Sequence, residues 1–150
     1  IYSHGGFRGV VDNPRCITDA AAKALAAKGG VIGIQFGSTF NNPKYAEWIR
    51  SRRAAGSAAP PAAPPKPRTI LEVDQEVAKG LPFVFRGVIP DEYWMGTDQL
   101  ARVIDYGVRL VGEDHIALGS DFDGGPPLPR QIRDVSDYPE VTKVLRQLGY

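Results

Sequence analysis

Short apolar runs alternate with amphipathic segments along this chain. Residues 31–36 are almost wholly apolar and partly β-branched, which is typical of a strand buried on both faces of a parallel sheet. Residues 115–120 form a second run of this kind, and residues 1–4 match the end of a further strand. The pattern therefore predicts three strands.

Helical spacing predicts three amphipathic helices between and after these strands. Thr18 stands at an N-cap position, and the segment from there to residue 28 is rich in helix formers. The second helix begins near residue 97 and ends at Gly112, and the third follows Ser136 or Asp137. The apolar stripes are Leu100, Val103, Ile104, Val108 and Val111 in the second helix, and Val141, Val144, Leu145 and Leu148 in the third.

A long connection, residues 41–96, separates the middle strand from the second helix. It opens with a loop and a short predicted helix over residues 45–53. Residues 54–65 then contain only Ala, Pro, Gly and Ser, and such a stretch cannot bury enough apolar surface to order itself. The window from 50 to 68 carries a charge of +5 with no acidic residue. A solvated excursion is the simpler interpretation, and a flap near a site or a partner-binding segment is the alternative.

The order strand, helix, strand, connection, helix, strand, helix predicts an α/β fold with a parallel sheet. A length of 150 residues suggests one domain, and 43% hydrophobic with 23% charged residues fits a globular chain. The net charge of +1 argues against a nucleic-acid binder. Cys16 is the only cysteine, so the chain can form neither an internal disulfide nor a cysteine metal cluster.

Candidate chemistry lies at the carboxyl ends of the predicted strands, where parallel α/β proteins gather reactive groups. His4 closes the first strand, Asp121 closes the last, and Gln35 lies near the end of the middle one. An imidazole and a carboxylate that face one opening from separate strands suit a hydrolytic metal site. Imidazole is a common zinc ligand, and a carboxylate can relay protons.

Each of these residues also has an ordinary structural interpretation. A histidine at a strand end is often only a hydrogen-bond partner, and Asp121 could simply open a turn. A calcium loop is excluded because its further acidic positions are absent. His115 precedes its strand, at the opposite end of the sheet, and we do not expect it to bind a metal. Arg15 taken alone would be a surface charge.

Several segments, in the same order along the chain, resemble the membrane (renal) dipeptidase family of zinc peptidases. They cover residues 1–40 and about 97–150. The most specific phrase is Gly119-Ser120-Asp121-Phe122-Asp123-Gly124. The other matching pieces are Ser3-His4, Asp12-Asn13-Pro14-Arg15, Thr18-Asp19, residues 27–34, Leu110-Val111-Gly112, residues 114–118, Asp134-Val135-Ser136, Tyr138-Pro139 and Leu148-Gly149-Tyr150.

The resemblance implies a (β/α)8 TIM barrel of the amidohydrolase superfamily. This chain would be its C-terminal part, about strands six to eight with their flanking helices. Residues 1–150 would then belong to a single metallo-dipeptidase barrel. Residues 41–96 would be a long inserted connection, longer than is usual in the family. Because it follows a strand, it should lie on the catalytic face, and we hypothesise that it caps the substrate opening.

The resemblance also implies an activity, the zinc-dependent hydrolysis of dipeptides by a metal-bridging hydroxide. His4 would ligate one of two zinc ions, and Asp121 would be the catalytic proton shuttle. Arg15 would hold the free carboxylate of the dipeptide. Asp123 would influence the site only through other residues.

The family's remaining metal ligands fall on strands that this chain does not contain. We therefore expect the chain to be inactive alone and to need the N-terminal part of the barrel, in another chain or outside residues 1–150. A dipeptide is the expected substrate, nucleic acid is not an expected partner, and a homodimer is left open. The alternatives are another amidohydrolase-type metallohydrolase, or a truncated barrel fragment that acts as a binding module.

Overall fold

The structure, a computed structural model, describes residues 1–54, 89–124 and 127–150. Apart from Ala54, the low-complexity stretch at residues 54–65 lies outside the described residues, as does most of the 41–96 connection. Within the described ranges, no helix has the length and apolar character needed to span a bilayer.

Three parallel strands form the sheet in the described part of the chain. They are β1 (Tyr2–Gly5), β2 (Ile32–Ile34) and β3 (Ile116–Leu118), in the spatial order β1–β2–β3. In the register, Ile32 of β2 lies opposite Tyr2 on one side and opposite Ile116 on the other. The predicted α/β architecture with a parallel sheet is confirmed.

Helices connect and flank the strands. The described residues contain the α-helices α1 (Asp19–Ala26), α2 (Ser38–Asn41), α3 (Pro43–Ala54), α4 (Thr97–Val111) and α5 (Tyr138–Gln147). The predicted helices correspond to α1, α3, α4 and α5. The short helix α2 is an addition that the hydrophobic pattern did not indicate. Four 3-10 turns of the described residues are Asp91–Tyr93, Glu113–His115, Phe122–Gly124 and Val135–Asp137.

Local sequence explains where α1 begins and where α4 ends. Thr18 Oγ1 accepts a hydrogen bond from the backbone N–H of Ala21 at 3.2 Å, as expected for an N-cap. Gly112 follows α4 with a φ of 93°, a conformation that favours glycine. Both predicted boundaries are confirmed.

Asp137 occupies the N-cap position of α5, as predicted, but its side chain makes no capping hydrogen bond to the helix. Its carboxylate accepts hydrogen bonds of 3.0 Å from both Nε and Nη2 of Arg133. Asp134 instead caps the preceding 3-10 turn, where its Oδ1 accepts from the backbone N–H of Ser136 at 2.8 Å. The apolar stripe also ends early, because Leu148 lies just beyond α5 and is 47% exposed.

The hydrophobic core lies between the sheet and the helices. Ile32 and Ile34 of the central strand are fully buried, and they belong to one cluster with Leu100 and Val103 of α4 and Val141 of α5. Full burial of such a side chain contributes about 1.5–3 kcal/mol. This packing anchors β2, which in turn holds the two strands beside it.

The end of β1 approaches the other two strands closely. The register between β1 and β2 shifts within β1. A Cβ atom on Gly33 would lie 2.1 Å from the carbonyl oxygen of Ser3, and one on Gly119 would lie 2.4 Å from the same oxygen. Glycine at both positions makes room for this carbonyl. The close approach brings the end of β1, which carries His4, toward the residues that follow β3.

Candidate active site

His4 and Asp121 lie together at the carboxyl end of the sheet. His4 Nε2 is 3.9 Å from Asp121 Oδ2, and the two side chains are 40% and 23% exposed. This separation exceeds that of a direct hydrogen bond. The two groups therefore face a common, solvent-accessible space, as the sequence analysis expected of strand-end residues that open onto one rim.

Ser3 orients the imidazole of His4. Ser3 Oγ lies 2.9 Å from His4 Nδ1. Because this contact occupies Nδ1, Nε2 is the ring nitrogen that faces Asp121. A hydrogen bond on one ring nitrogen orients a histidine and leaves the other nitrogen available as a ligand.

Gln35 holds the carboxylate of Asp121 from the end of β2. Gln35 Nε2 donates to Asp121 Oδ2 at 2.9 Å, and Gln35 Oε1 accepts from the backbone N–H of Gly37 at 3.1 Å. The Gln35 side chain is buried. The candidate site therefore consists of His4, Gln35 and Asp121, one residue from the end of each strand.

Asp121 has an unusual backbone conformation. Its φ is 60°, and in the described part of the chain no other residue except glycine has a positive φ. The backbone N–H of Gly124 donates to the Asp121 carbonyl oxygen at 3.1 Å and closes the turn. Backbone strain of this kind clusters at functional sites. Here the strained residue is the one whose carboxylate faces His4.

Asn41, at the end of α2, is a buried residue that the sequence analysis did not single out. Its Nδ2 donates to the carbonyl oxygen of Gln35 and, at 3.2 Å, to that of Gly37. Asn41 is fully buried, and among the described residues no donor contacts its Oδ1. The signal in the sequence is an Asn-Asn pair before Pro43, which is typical of a turn rather than of a site.

Arg15 lies in the loop that follows β1, at the same end of the sheet. Its guanidinium carbon is 4.8 Å from the centre of the Phe40 ring, which is a cation–π contact. The backbone of Arg15 is held on both sides, since its N–H donates to Asn13 Oδ1 at 2.9 Å and its carbonyl accepts from the Tyr2 hydroxyl. Within the described ranges, no carboxylate pairs with this guanidinium.

Three other residues singled out from the sequence do not join the site. Asp123 lies in the 3-10 turn after β3 with its side chain exposed, and its indirect role stays a prediction. His115 Nδ1 is 2.9 Å from the carbonyl oxygen of Gly30, before β3 begins, in agreement with a structural role. Cys16 is buried, and this burial raises the pKa of its thiol, so the group is not activated.

The described residues fit one part of a metal site. Among them, no group of three or more His, Cys, Asp or Glu side chains is placed to hold a metal ion. His4 offers one nitrogen donor whose ring is oriented through its other nitrogen, as in many metal-binding histidines. His4 therefore fits a single ligand position, and further ligands would come from outside the described residues.

Fold and site together define a parallel α/β protein with an imidazole and a carboxylate at the carboxyl end of its sheet. The family model described as membrane dipeptidase, peptidase family M19, matches residues 1–150. The chain therefore belongs to this family, and the resemblance drawn from the sequence is confirmed. The family is one of metallopeptidases, which implies a metal.

Similar proteins are longer than this chain. A Klebsiella pneumoniae protein from the pqqA 5′ region is 27% identical over 100% of this chain and 39% of its own length. An uncharacterized dipeptidase of Schizosaccharomyces pombe is 25% identical over 94% of this chain and 23% of its own length. The chain thus spans less than half of the curated relatives it matches.

A similar protein of known structure is also longer than this chain. The probable dipeptidase PvdM from Pseudomonas aeruginosa is 25% identical and superimposes with a TM-score of 0.64. The match covers 98% of this chain and 38% of that protein. The described fold is therefore similar to a part of a dipeptidase fold.

Proposed function

We propose that this chain contributes to the active site of a zinc-dependent dipeptidase. The observation that carries the proposal is the 3.9 Å approach of His4 Nε2 to Asp121 Oδ2 at the carboxyl end of a parallel sheet. Membership in the membrane dipeptidase family supports the substrate class. In this proposal His4 is a metal ligand, Asp121 transfers the proton and Arg15 binds the substrate carboxylate.

The chain would form about strands six to eight of a (β/α)8 barrel. Three strands in consecutive parallel order support this placement, and so does the 38% share of the solved dipeptidase that the chain matches. The rest of the barrel would supply the metal ligands that the described residues lack. We therefore expect residues 1–150 alone to bind zinc weakly and to be inactive.

The chemistry divides between the metal and the side chains of this chain. When bound, two zinc ions would acidify a water molecule and polarise the scissile carbonyl. Asp121 accepts a proton from the attacking water and delivers it to the leaving amine nitrogen. No direct hydrogen bond joins Asp121 to His4, whose nearest atoms are 3.9 Å apart, so the two groups do not block each other's roles.

Arg15 selects substrates with a free carboxylate. A guanidinium presents N–H donors in a fork that matches the two oxygens of a carboxylate. The Phe40 ring supports the guanidinium at 4.8 Å and leaves its edge free for this contact. Peptides without a free carboxylate for Arg15 to bind would therefore bind poorly.

Three substitutions in the zinc-loaded enzyme that contains this chain test the proposal. His4→Ala should lower the zinc content measured by elemental analysis, whereas His115→Ala, which removes the other histidine, should not. Asp121→Asn should keep the zinc and lower kcat for a dipeptide by about 10²- to 10⁴-fold, the range of general acid–base catalysis. Arg15→Ala should raise KM by about 10- to 100-fold, as expected for lost hydrogen bonds to a charged group.

The outcomes separate this proposal from its alternatives. An Arg15→Ala enzyme with unchanged KM for dipeptides would favour another metallohydrolase of the amidohydrolase type. Full zinc occupancy without hydrolysis of any dipeptide would contradict the proposed activity and favour a binding module.

A further inference from the structure

We propose that Gln35 is a positioning residue that holds the Asp121 carboxylate beside His4. The inference rests on the proposed function, in which Asp121 transfers the proton. Gln35 does not contact the dipeptide, and it acts on the reaction through Asp121.

The amide of Gln35 has one possible orientation. Its Oε1 lies 3.1 Å from the backbone N–H of Gly37, and an N–H can only donate. The amide nitrogen must therefore point the other way, where it donates to Asp121 Oδ2 at 2.9 Å. Because Gln35 is 4% exposed, water does not compete effectively for these bonds.

The backbone around Gln35 ties this donor to both neighbouring strand ends. The N–H of Gln35 donates to the carbonyl oxygen of Gly5, the last residue of β1, at 2.8 Å. The N–H of Phe36 donates to the carbonyl oxygen of Ser120, next to Asp121, at 3.2 Å. The Gln35 amide therefore keeps its position relative to the strand ends that carry His4 and Asp121.

Asn41 supports the same segment from α2. Its Nδ2 donates to the carbonyl oxygens of Gln35 and Gly37, so it holds the turn that receives Gln35 Oε1. The carbonyl oxygen of Asn41 accepts from Gln99 Nε2 of α4 at 3.1 Å. The turn is thus connected to a helix of the core.

Asp121 needs such a support because its other restraints are weak. Its side chain is 23% exposed, and in the described part of the chain Gln35 is the only hydrogen-bond donor to its carboxylate. Its φ of 60° places it in a region that residues other than glycine rarely occupy. Without the amide, the carboxylate would lose the one hydrogen bond that holds it beside His4 in the described part of the chain.

The test uses Gln35→Met, which keeps the length of the side chain and removes both the donor to Asp121 and the acceptor for the Gly37 N–H. In the zinc-loaded enzyme, kcat should fall about 10- to 100-fold, the loss expected for one hydrogen bond to a charged group. KM should stay within about twofold, because uniform substrate binding is unchanged. Gln131→Met is the matched control, since the Gln131 amide oxygen accepts from the backbone N–H of Thr97 at the start of α4, at 3.1 Å, and its kcat should equal that of the parent enzyme.

A double-mutant cycle separates positioning from a general structural role. If Gln35 acts through Asp121, adding Gln35→Met to Asp121→Asn should lower the residual kcat by less than about twofold. A further loss as large as in the parent background would overturn the inference. Gln35→Asn, which withdraws the amide by one methylene, replaces Gln35→Met if that variant does not fold, and the same drop in kcat is expected.

If the proposed function is wrong and Asp121 does not transfer the proton, Asp121→Asn itself would leave kcat unchanged. An inactive Asp121→Asn enzyme beside a fully active Gln35→Met enzyme would reject the positioning role alone.

Discussion

Gly124 limits the space beside the Asp121 carboxylate, and a methyl group there should displace it. A Cβ atom at position 124 would lie 2.4 Å from Asp121 Oδ1 and 2.6 Å from Oδ2, whereas ordinary contact begins at 3.4 Å. In Gly124→Ala the carboxylate must therefore move by about 1 Å. The Gln35 bond resists this movement on the other side, so the carboxylate either loses that bond or turns away from His4.

The size of the effect on catalysis follows from this displacement. A misplacement of about 1 Å can cost about 10²-fold in rate. We therefore expect kcat of the zinc-loaded Gly124→Ala enzyme to fall by about two orders of magnitude, with the zinc content unchanged. Overall stability should change little, because the clash involves the end of a partly exposed side chain rather than the core.

The assay compares steady-state dipeptide hydrolysis in Gly124→Ala and in a matched control. Gly96→Ala is suitable because its Cβ would lie 2.5 Å from Asp98 Oδ1, again a carboxylate oxygen, but that of an exposed residue at the start of α4. The control should keep the parent kcat. A Gly124→Ala enzyme within about threefold of the parent, beside an inactive Asp121→Asn enzyme, would refute the idea that a displacement of about 1 Å matters here.

Two further predictions concern stability and pH. Tyr106 donates to Asp19 Oδ2 at 2.7 Å, and no donor among the described residues contacts the buried Oδ1. Tyr106→Phe should thus lower the free energy of unfolding in urea by about 1–3 kcal/mol. It should also remove a tyrosine whose pKa is raised to about 12 by burial and by Asp19, and an unchanged alkaline absorbance titration would contradict this. The hydrogen bonds from Arg133 lower the pKa of Asp137 from 3.8 to about 2, so this carboxylate stabilises the fold above pH 3.8 and loses that effect as the pH falls toward 2. Asp137→Asn should lower the melting temperature at pH 7 and lower it much less at pH 2, and an equal difference at both pH values would exclude this linkage.

The strands and the reacting groups could be predicted because they depend on local patterns. The apolar runs marked β2 and β3, and a Thr cap with a run of helix formers marked α1. The carboxyl ends of parallel strands meet at one edge of a sheet, and this rule brings His4 and Asp121 together without further information. Their separation of 3.9 Å agrees with that argument.

The support around these groups could not be predicted because it depends on contacts between distant parts of the chain. Gln35 and Asp121 are 86 positions apart, and an amide at a strand end gives no signal of the carboxylate it will bind. Asn41 has the residue type of a turn, although its side chain holds the backbone of Gln35. The contacts of Asp137 at the start of α5 could not be predicted for the same reason, because its carboxylate binds Arg133.

The crowding of the Ser3 carbonyl against Gly33 and Gly119 bears on how this scaffold can be engineered. Main-chain packing sets how closely the end of β1 approaches the other two strands, and side-chain replacement elsewhere leaves this packing intact. Libraries that vary the surrounding loops should therefore alter substrate range while the strand ends keep their spacing. A β-carbon at either glycine would push the end of β1 outward and move His4 away from Asp121.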